Sequence, residues 1–323
     1  MRGIQIQRHG GPEVMEVVDL PVRDPGAGEI RIRHHAIGVN FVDVYQRSGL
    51  YKQPVPFVPG SEGAGVVEAV GADTKLAIGD RVAYAASTPG SYAETRTIEA
   101  AQVVKLPPTI DYATAAAMML KGLTVQYLLR RTSPQGGLHA GDFIVWHAAA
   151  GGVGTIACQW AKSLGLRVIG TAGGPEKCGL ARRSGAEFTI DYHRDDVVAR
   201  VKEITGGRGV KIVYDSVGRD TFDRSLDCLA PLGLLVSFGN ASGPPAPLDV
   251  LTLSHKGSLY VTRPTLRTHT KDHLAEMAVE LFEVVTTGVV SIDVNQTYAL
   301  ADAAQAHRDL EARKTTGASV LLV

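Results

Sequence analysis

Cysteine is scarce in this chain of 323 residues, occurring only at Cys158, Cys178 and Cys228. The odd number and wide spacing exclude a disulfide framework, and no CxxC or similar cluster offers a thiolate metal site. This usage predicts a reducing compartment, the cytoplasm. An excess of charge is also lacking: 33 basic residues balance 33 acidic ones, without a run of either sign. That argues against nucleic acid or an anionic membrane as the main partner. The N-terminal MRGIQIQRHGGPEV has no apolar signal core. The uncharged stretch Phe143 to Ala161 is broken by Gly151, Gly152 and Gly154 and contains His147 and Gln159, so it reads as a buried strand and helix rather than a membrane span. No internal repeat or low-complexity tract occurs, and the ten histidines form no metal-like pair. His34 and His35 are predicted to point to opposite faces of a strand.

What is present is ordinary in bulk and specific in detail. Hydrophobic content of 45% with 20% charge describes a globular protein, and the length suggests two domains. The 36 glycines suit many tight strand–helix turns. The most informative of these lies in Asp142 to Gly154, DFIVWHAAAGGVG. A strand, Phe143 to Trp146, runs into a glycine turn that opens a helix from Thr155 to Lys162. This is the strand–turn–helix unit that binds dinucleotides. Glycines admit backbone N–H groups to a pyrophosphate, and the helix start adds a positive dipole end. The spacing is Ala149-x-Gly151-x-x-Gly154, with alanine in place of the first fingerprint glycine.

The next strand, Arg167 to Thr171, ends where a carboxylate would hold the ribose 2′-hydroxyl of NAD, roughly 20 residues past the turn. Here the segment reads Gly170, Thr171, Ala172, Gly173, Gly174, with no acid until Glu176. Lys177 follows, with Arg182 and Arg183 beyond. A missing carboxylate removes repulsion against a 2′-phosphate and an ammonium attracts one, favouring NADPH. Alternatively, Lys177 is a solvated residue in the first turn of a helix.

Along the chain, the first hundred residues read as short strands, among them Glu29–Arg33, Gly65–Gly71 and Gly79–Tyr84. Asp111 is placed to cap a helix through 115–119, interrupted at Gly122 and resumed through 127–129. From Asp142 strands and helices alternate, which demands a parallel sheet with helices on both faces. Strands are predicted at 143–146, 167–170, 187–190, 210–214, 234–238 and 258–261. Ser216-Val217-Gly218 and Phe238-Gly239-Asn240 then fall at carboxyl ends of strands, where ligands bind. The tail has an amphipathic helix at 273–286, a second helix at 302–313 and a final strand at 318–323. A discontinuous first domain, completed by this tail, is expected around an inserted nucleotide domain, with boundaries at 1–123 plus 265–323 and at 124–264.

Several segments carry a family resemblance over nearly the full length: HGGPEV (9–14), AIGVNFVDVYQRSGLY (36–51), LKGLTVQYLLR (120–130), HAAAGGVG (147–154), YDSVGRDT (214–221), RSLDCL (224–229), VSFGN (236–240) and GSLYVTRPTL (257–266). In this order the chain resembles the zeta-crystallin-like, zinc-independent medium-chain dehydrogenases/reductases that act as NADPH:quinone oxidoreductases. The resemblance implies an α/β fold: a GroES-like, mostly-β catalytic domain plus a Rossmann domain with a doubly wound parallel sheet. Zinc-dependent relatives place His-Glu before Gly-x-Gly; here Ser61 stands at the histidine position in Pro59-Gly60-Ser61-Glu62-Gly63. The four-cysteine zinc lobe is missing as well. No metal ligand is therefore expected, and Glu62 reads as a buried, hydrogen-bonded carboxylate.

The resemblance implies further sites. Gly151, Gly152 and Val153 would hold the pyrophosphate, and Gly173, Gly174, Lys177 and Tyr192 the 2′-phosphate. Ser216 would lie near the adenosine, while Phe238, Gly239, Asn240, Ala241, Pro264, Thr265 and Leu266 would border the nicotinamide half. Phe41, Val42, Asp43, Val44, Tyr45, Thr124, Tyr127 and, from the tail, Arg313 would face the cofactor. Bland readings stand beside these: Asn40 satisfying a turn, Tyr45 as core, Thr124 bonding back within its helix, Tyr51 as an exposed aromatic rather than a pocket wall. The implied reaction is hydride transfer from NADPH to a small quinone, in a pocket where Asn40, Tyr45 and Tyr51 are the catalytic candidates. A quinone accepts hydride readily, so a hydrogen bond from Tyr45 or Asn40 to the oxygen that gains charge suffices. Two rivals are reduction of an enone or enal double bond, and a non-catalytic nucleotide- or RNA-binding role. A homodimer is also implied, with Ser258–Val261 as the pairing edge strand.

Overall fold

The computed structural model describes residues 1–133 and 136–323, and these fall into two units. The first unit, Met1–Leu123 with Thr270–Thr286 and Ile292–Val323, is mostly β. Six strands of its seven-stranded sheet run in the order Val294–Ala299, Ala318–Leu322, Glu29–Val39, Glu62–Val70, Arg81–Ala85, Val103–Lys105; Thr95–Glu99 also pairs with Glu29–Val39. Polar and apolar residues alternate along the start of Glu29–Val39, so one pleat face turns inward. Ile30 and Ile32 on that face pack with Val67, Val82, Tyr84 and Ile98. The last strand, Ala318–Leu322, lies antiparallel to Glu29–Val39, so the C-terminal tail completes a sheet begun by the N-terminal half. Arg2–Ile6 and Met15–Asp19 form a separate antiparallel pair.

The second unit comprises Thr124–His269 and Thr287–Ser291. Its sheet has six parallel strands in the order Phe188–Asp191, Arg167–Ala172, Phe143–Trp146, Val210–Asp215, Leu229–Ser237, Tyr260–Thr262. Counted along the unit this is 3-2-1-4-5-6, the doubly wound order whose direction reverses between the first and fourth strands. Strand residues here are apolar almost throughout because helices cover both faces. Val145, Ile169, Val213 and Leu235 form one core with Phe222 and Leu226 from the helix Phe222–Asp227.

Several elements differ from expectation, among them the fifth parallel strand, which starts at Leu229 rather than Leu234. Gly122 does not interrupt its helix, which is continuous over Tyr112–Arg130. Leu281 packs against the bare backbone there, where a Cβ would collide with its side chain, and that contact offsets the roughly 1 kcal/mol a helical glycine costs. The long tail helix begins at Leu266 rather than His273 and runs to Thr286. Its first two turns are largely exposed, so apolar periodicity did not reveal them. The sixth parallel strand is Tyr260–Thr262, two residues later than predicted.

Candidate functional site

The first parallel strand ends at Trp146, and the chain then turns through Ala148, a left-handed residue with φ 54°. Gly151 N donates to Ala148 O at 2.9 Å and closes this turn, and the helix Gly152–Ser163 begins beside it. Gly154 must be glycine: a Cβ would strike the carbonyl of Ala148 and lie 2.7 Å from the backbone of Ala149. The first helical turn carries no acidic side chain. The dipole end of the helix and the N–H groups of its first residues, Gly152 and Val153, are therefore left without a competing anion.

Alanine at the usual first glycine is accommodated by a partner strand. Ala149 is fully buried, and a Cβ at Gly170 would lie 2.8 Å from its methyl group. The small residue has moved across to the second strand, a compensation that spacing alone does not display. Below the turn, His147 Nδ1 meets Thr171 Oγ1 at 2.9 Å and Nε2 meets Ser225 Oγ at 3.0 Å. Ser225 donates on to Asp215 Oδ2 at 2.9 Å. Burial lowers the His147 pKa, so the neutral ring works as a brace between the ends of the first, second and fourth strands.

At the end of the second strand, Gly173 and Gly174 (φ 86°) lead into the helix Pro175–Arg183, with Lys177 half-buried in its first turn. Tyr192 is exposed and reaches this loop: its hydroxyl would lie 2.7 Å from a Cβ on Gly173. The structure adds a carboxylate missed in the sequence. Asp191, at the end of the third strand, accepts hydrogen bonds from Gly174 N (2.9 Å) and His193 N (3.1 Å), which hold its pKa below the usual value. It thus ties two loops together through main-chain bonds, and no local reading of the second strand would have found it.

The loops after the fourth and fifth strands meet at the carboxyl end of the sheet. Phe238 N donates to Asp215 O at 2.8 Å and Ala241 N to Ser216 O at 3.2 Å, which brings Ser216 against Phe238, Gly239, Asn240 and Ala241. Arg263 donates to Ser237 Oγ and Gly239 O, both at 3.0 Å, just before Pro264, Thr265 and Leu266. Sequence reasoning passed over this arginine. Tyr127 is buried and stacks on His269 at 4.5 Å, with the Thr124 hydroxyl as a hydrogen-bond neighbour.

In the first unit, Asn40 precedes the helix Phe41–Ser48, whose third residue, Asp43, accepts from Asn40 N at 2.9 Å. Asn40 Nδ2 donates to Glu62 Oε1 at 2.7 Å. That oxygen also accepts from Lys121 Nζ at 2.7 Å, and Glu62 Oε2 accepts from Leu120 N at 2.6 Å. Glu62 is therefore the buried, satisfied carboxylate expected. Asp43 and Val44 point inward. Asp43 also accepts from Ser61 Oγ (3.1 Å) and from the Tyr92 hydroxyl (3.2 Å), whose oxygen lies 3.0 Å from His307 Nε2. Tyr45 is buried, with Phe41 and Tyr51 rings at 6.1 and 5.1 Å; Val42 lies in the same helix. Arg313 follows the helix Ala303–Glu311 with a positive φ of 57°. His34 is buried between Ala93 O and the Tyr84 hydroxyl, while His35 stacks on Tyr112, so both histidines are packing residues.

An alcohol dehydrogenase GroES-like domain model matches residues 26–108, and a zinc-binding dehydrogenase model matches 152–282. The chain is 54% identical to a quinone oxidoreductase of Pseudomonas aeruginosa, over 99% of this chain and 98% of the relative. It belongs to the quinone oxidoreductase family of medium-chain dehydrogenases/reductases. The crystal structure of Escherichia coli quinone oxidoreductase complexed with NADPH matches with a TM-score of 0.97 at 48% identity, covering 100% of both chains. A 2-haloacrylate reductase from a Burkholderia species is 41% identical over 98% of this chain and 97% of its own. The expected pairing of a GroES-like unit with a Rossmann unit is the fold of this family.

The zinc in the second family description does not fit the residues present. Ser61 spends its hydroxyl proton on Asp43, Glu62 is saturated by three protein donors, and the first unit contains no cysteine. Among the described residues, no group of three or more His, Cys, Asp or Glu side chains is arranged to hold a metal ion. No helix is long and apolar enough to cross a membrane among those same residues.

Proposed function

We propose that this chain is an NADPH-dependent, zinc-independent quinone reductase. The observation that carries the reading is the phosphate-ready turn at Gly151–Val153, followed after the second strand by a Gly173–Gly174 loop with no acid before Glu176 and with Lys177 in the next helical turn, in a member of the quinone oxidoreductase family. NADPH supplies the hydride when bound. The protein binds, orients and excludes water. Gly151, Gly152 and Val153 take the pyrophosphate; Gly173, Gly174, Lys177 and Tyr192 take the 2′-phosphate. Ser216, Phe238 to Ala241 and Pro264 to Leu266 line the remainder, joined by Thr124 and Tyr127. Asn40, Tyr45 and Tyr51 form the substrate wall. Glu62 holds one N–H of the Asn40 amide, which leaves a second N–H to donate toward a reduced quinone oxygen.

The chain's kinship with a 2-haloacrylate reductase favours one second reading, reduction of a double bond conjugated to a carboxyl or carbonyl group. Matched quinones, enones and 2-haloacrylate, each offered with NADPH after treatment with a strong zinc chelator, separate the readings. Undiminished quinone turnover supports the proposal; turnover of the enone or haloacrylate alone moves the function to double-bond reduction. Loss of all turnover on chelation contradicts zinc independence.

A homodimer belongs to the same proposal. Tyr260–Thr262 closes the parallel sheet with Tyr260 exposed, and an unpaired edge invites a second copy. Sedimentation at micromolar concentration is expected to give twice the 34.2 kDa chain mass; a monomer refutes the pairing. The three unpaired cysteines support a cytoplasmic location.

A further inference from the structure

We infer that His193 completes the 2′-phosphate site and makes the preference for NADPH over NADH depend on pH. The inference rests on the cofactor reading above. Its observation is a convergence on Gly173: a Cβ there would lie 2.7 Å from His193 Nε2 and 2.7 Å from the Tyr192 hydroxyl. The two side chains thus flank the same missing group, one presenting a ring nitrogen and the other a phenol. Their rings lie 4.6 Å apart. The loop that carries them is fixed to the Gly173–Gly174 loop because Asp191 Oδ1 accepts from both Gly174 N and His193 N. His193 is exposed, so an anion can reach it. It lies beyond the third strand, outside the segment that a fingerprint reading inspects for the ribose partner.

An imidazole is the side chain whose charge changes between about pH 5 and 8, and only the charged ring attracts a phosphate dianion by charge. Asp191, Arg194 and Asp195 stand on the same loop as His193, and Asp191 pairs with Arg194 at 3.9 Å. The helix Pro175–Arg183 packed beside it brings Glu176, Lys177, Cys178 and Arg182. The adjoining strand end, Thr171 and Ala172, brings no titratable group.

The test is equilibrium binding of NADPH and NADH to the full chain, followed by nicotinamide fluorescence from pH 5.5 to 8.5, for wild type, His193→Gln and His193→Arg. Wild type is expected to lose about tenfold in NADPH affinity relative to His193→Gln as pH rises, with NADH unchanged. His193→Arg should hold the low-pH affinity across the range. Protonation of the 2′-phosphate itself, near pH 6, acts on all three proteins alike and cancels in the ratio. Parallel NADPH curves for wild type and His193→Gln overturn the inference while leaving the cofactor reading intact. Equal affinity for NADPH and NADH at every pH overturns the cofactor reading, and this inference with it.

Discussion

Around Glu62 in the first unit, polar chemistry is held by buried side chains that satisfy one another. Around Gly151 in the second, it is held by main-chain amides that glycines leave uncovered. The first arrangement takes charge out of water and balances it, as Lys121 does for Glu62. The second keeps its helix-start donors for a ligand. Damage should therefore show as lost stability in the first unit and as lost cofactor affinity in the second.

The sharpest way to break that contrast is Lys121→Met. It leaves Glu62 charged, buried and short of a partner, and should cost about 3–5 kcal/mol in urea unfolding. Adding Glu62→Gln should recover most of this. A cost below about 1 kcal/mol for the single variant would mean that the pair does not stabilise the unit. Gly154→Val should do the opposite. Its side chain meets the Ala148 carbonyl at the phosphate turn, so NADPH affinity is expected to fall on the order of a hundredfold. Tryptophan fluorescence reporting an unfolded second unit would show instead that this glycine serves the fold alone.

A third outcome concerns pH. Burial pushes the Asp43 carboxyl up to about 7 from 3.8, against the pull of its three hydrogen-bond donors. The native state thus keeps a proton that the unfolded chain has released. The stability from this group is complete below about pH 4 and is lost as pH rises to about 7, an effect on the order of 4 kcal/mol. Buried His34 and His307, held down to about 4 and about 3, act with the opposite slope: their contribution disappears as pH falls below 6.5. Unfolding at several pH values in wild type and Asp43→Asn isolates the first effect. Identical pH profiles would show that Asp43 is ionised throughout.

The smallest effect tests the displaced glycine. Gly170→Ala should cost about 1–2 kcal/mol, because its methyl group meets that of Ala149, and Ala149→Gly on the same background should restore it. Strictly additive effects in this cycle would separate the two positions.

The same contrast explains what was legible in the sequence. Gly151, Gly154 and the alternation of strands and helices are local patterns, so the doubly wound fold and its phosphate turn could be read from spacing. Resemblance supplied the GroES-like unit and named Ser61 and Glu62. The partners of Glu62 could not be read, because Lys121 lies 59 positions away and only the packing of its helix on the sheet brings it near. Asp191, His193 and Arg263 escaped for a related reason: they act on loops of neighbouring strands rather than on their own. The Gly170–Ala149 exchange was hidden because the fingerprint is written along one segment while the packing runs across two.

The most direct test of the central claim is stopped-flow absorbance at the nicotinamide band, with 1,4-benzoquinone offered to enzyme mixed with NADPH or with NADH. Rapid oxidation of NADPH, with NADH slower by an order of magnitude or more and the gap closed in Lys177→Ala, is the predicted result. Oxidation of neither cofactor, or of both at equal rates, would contradict it.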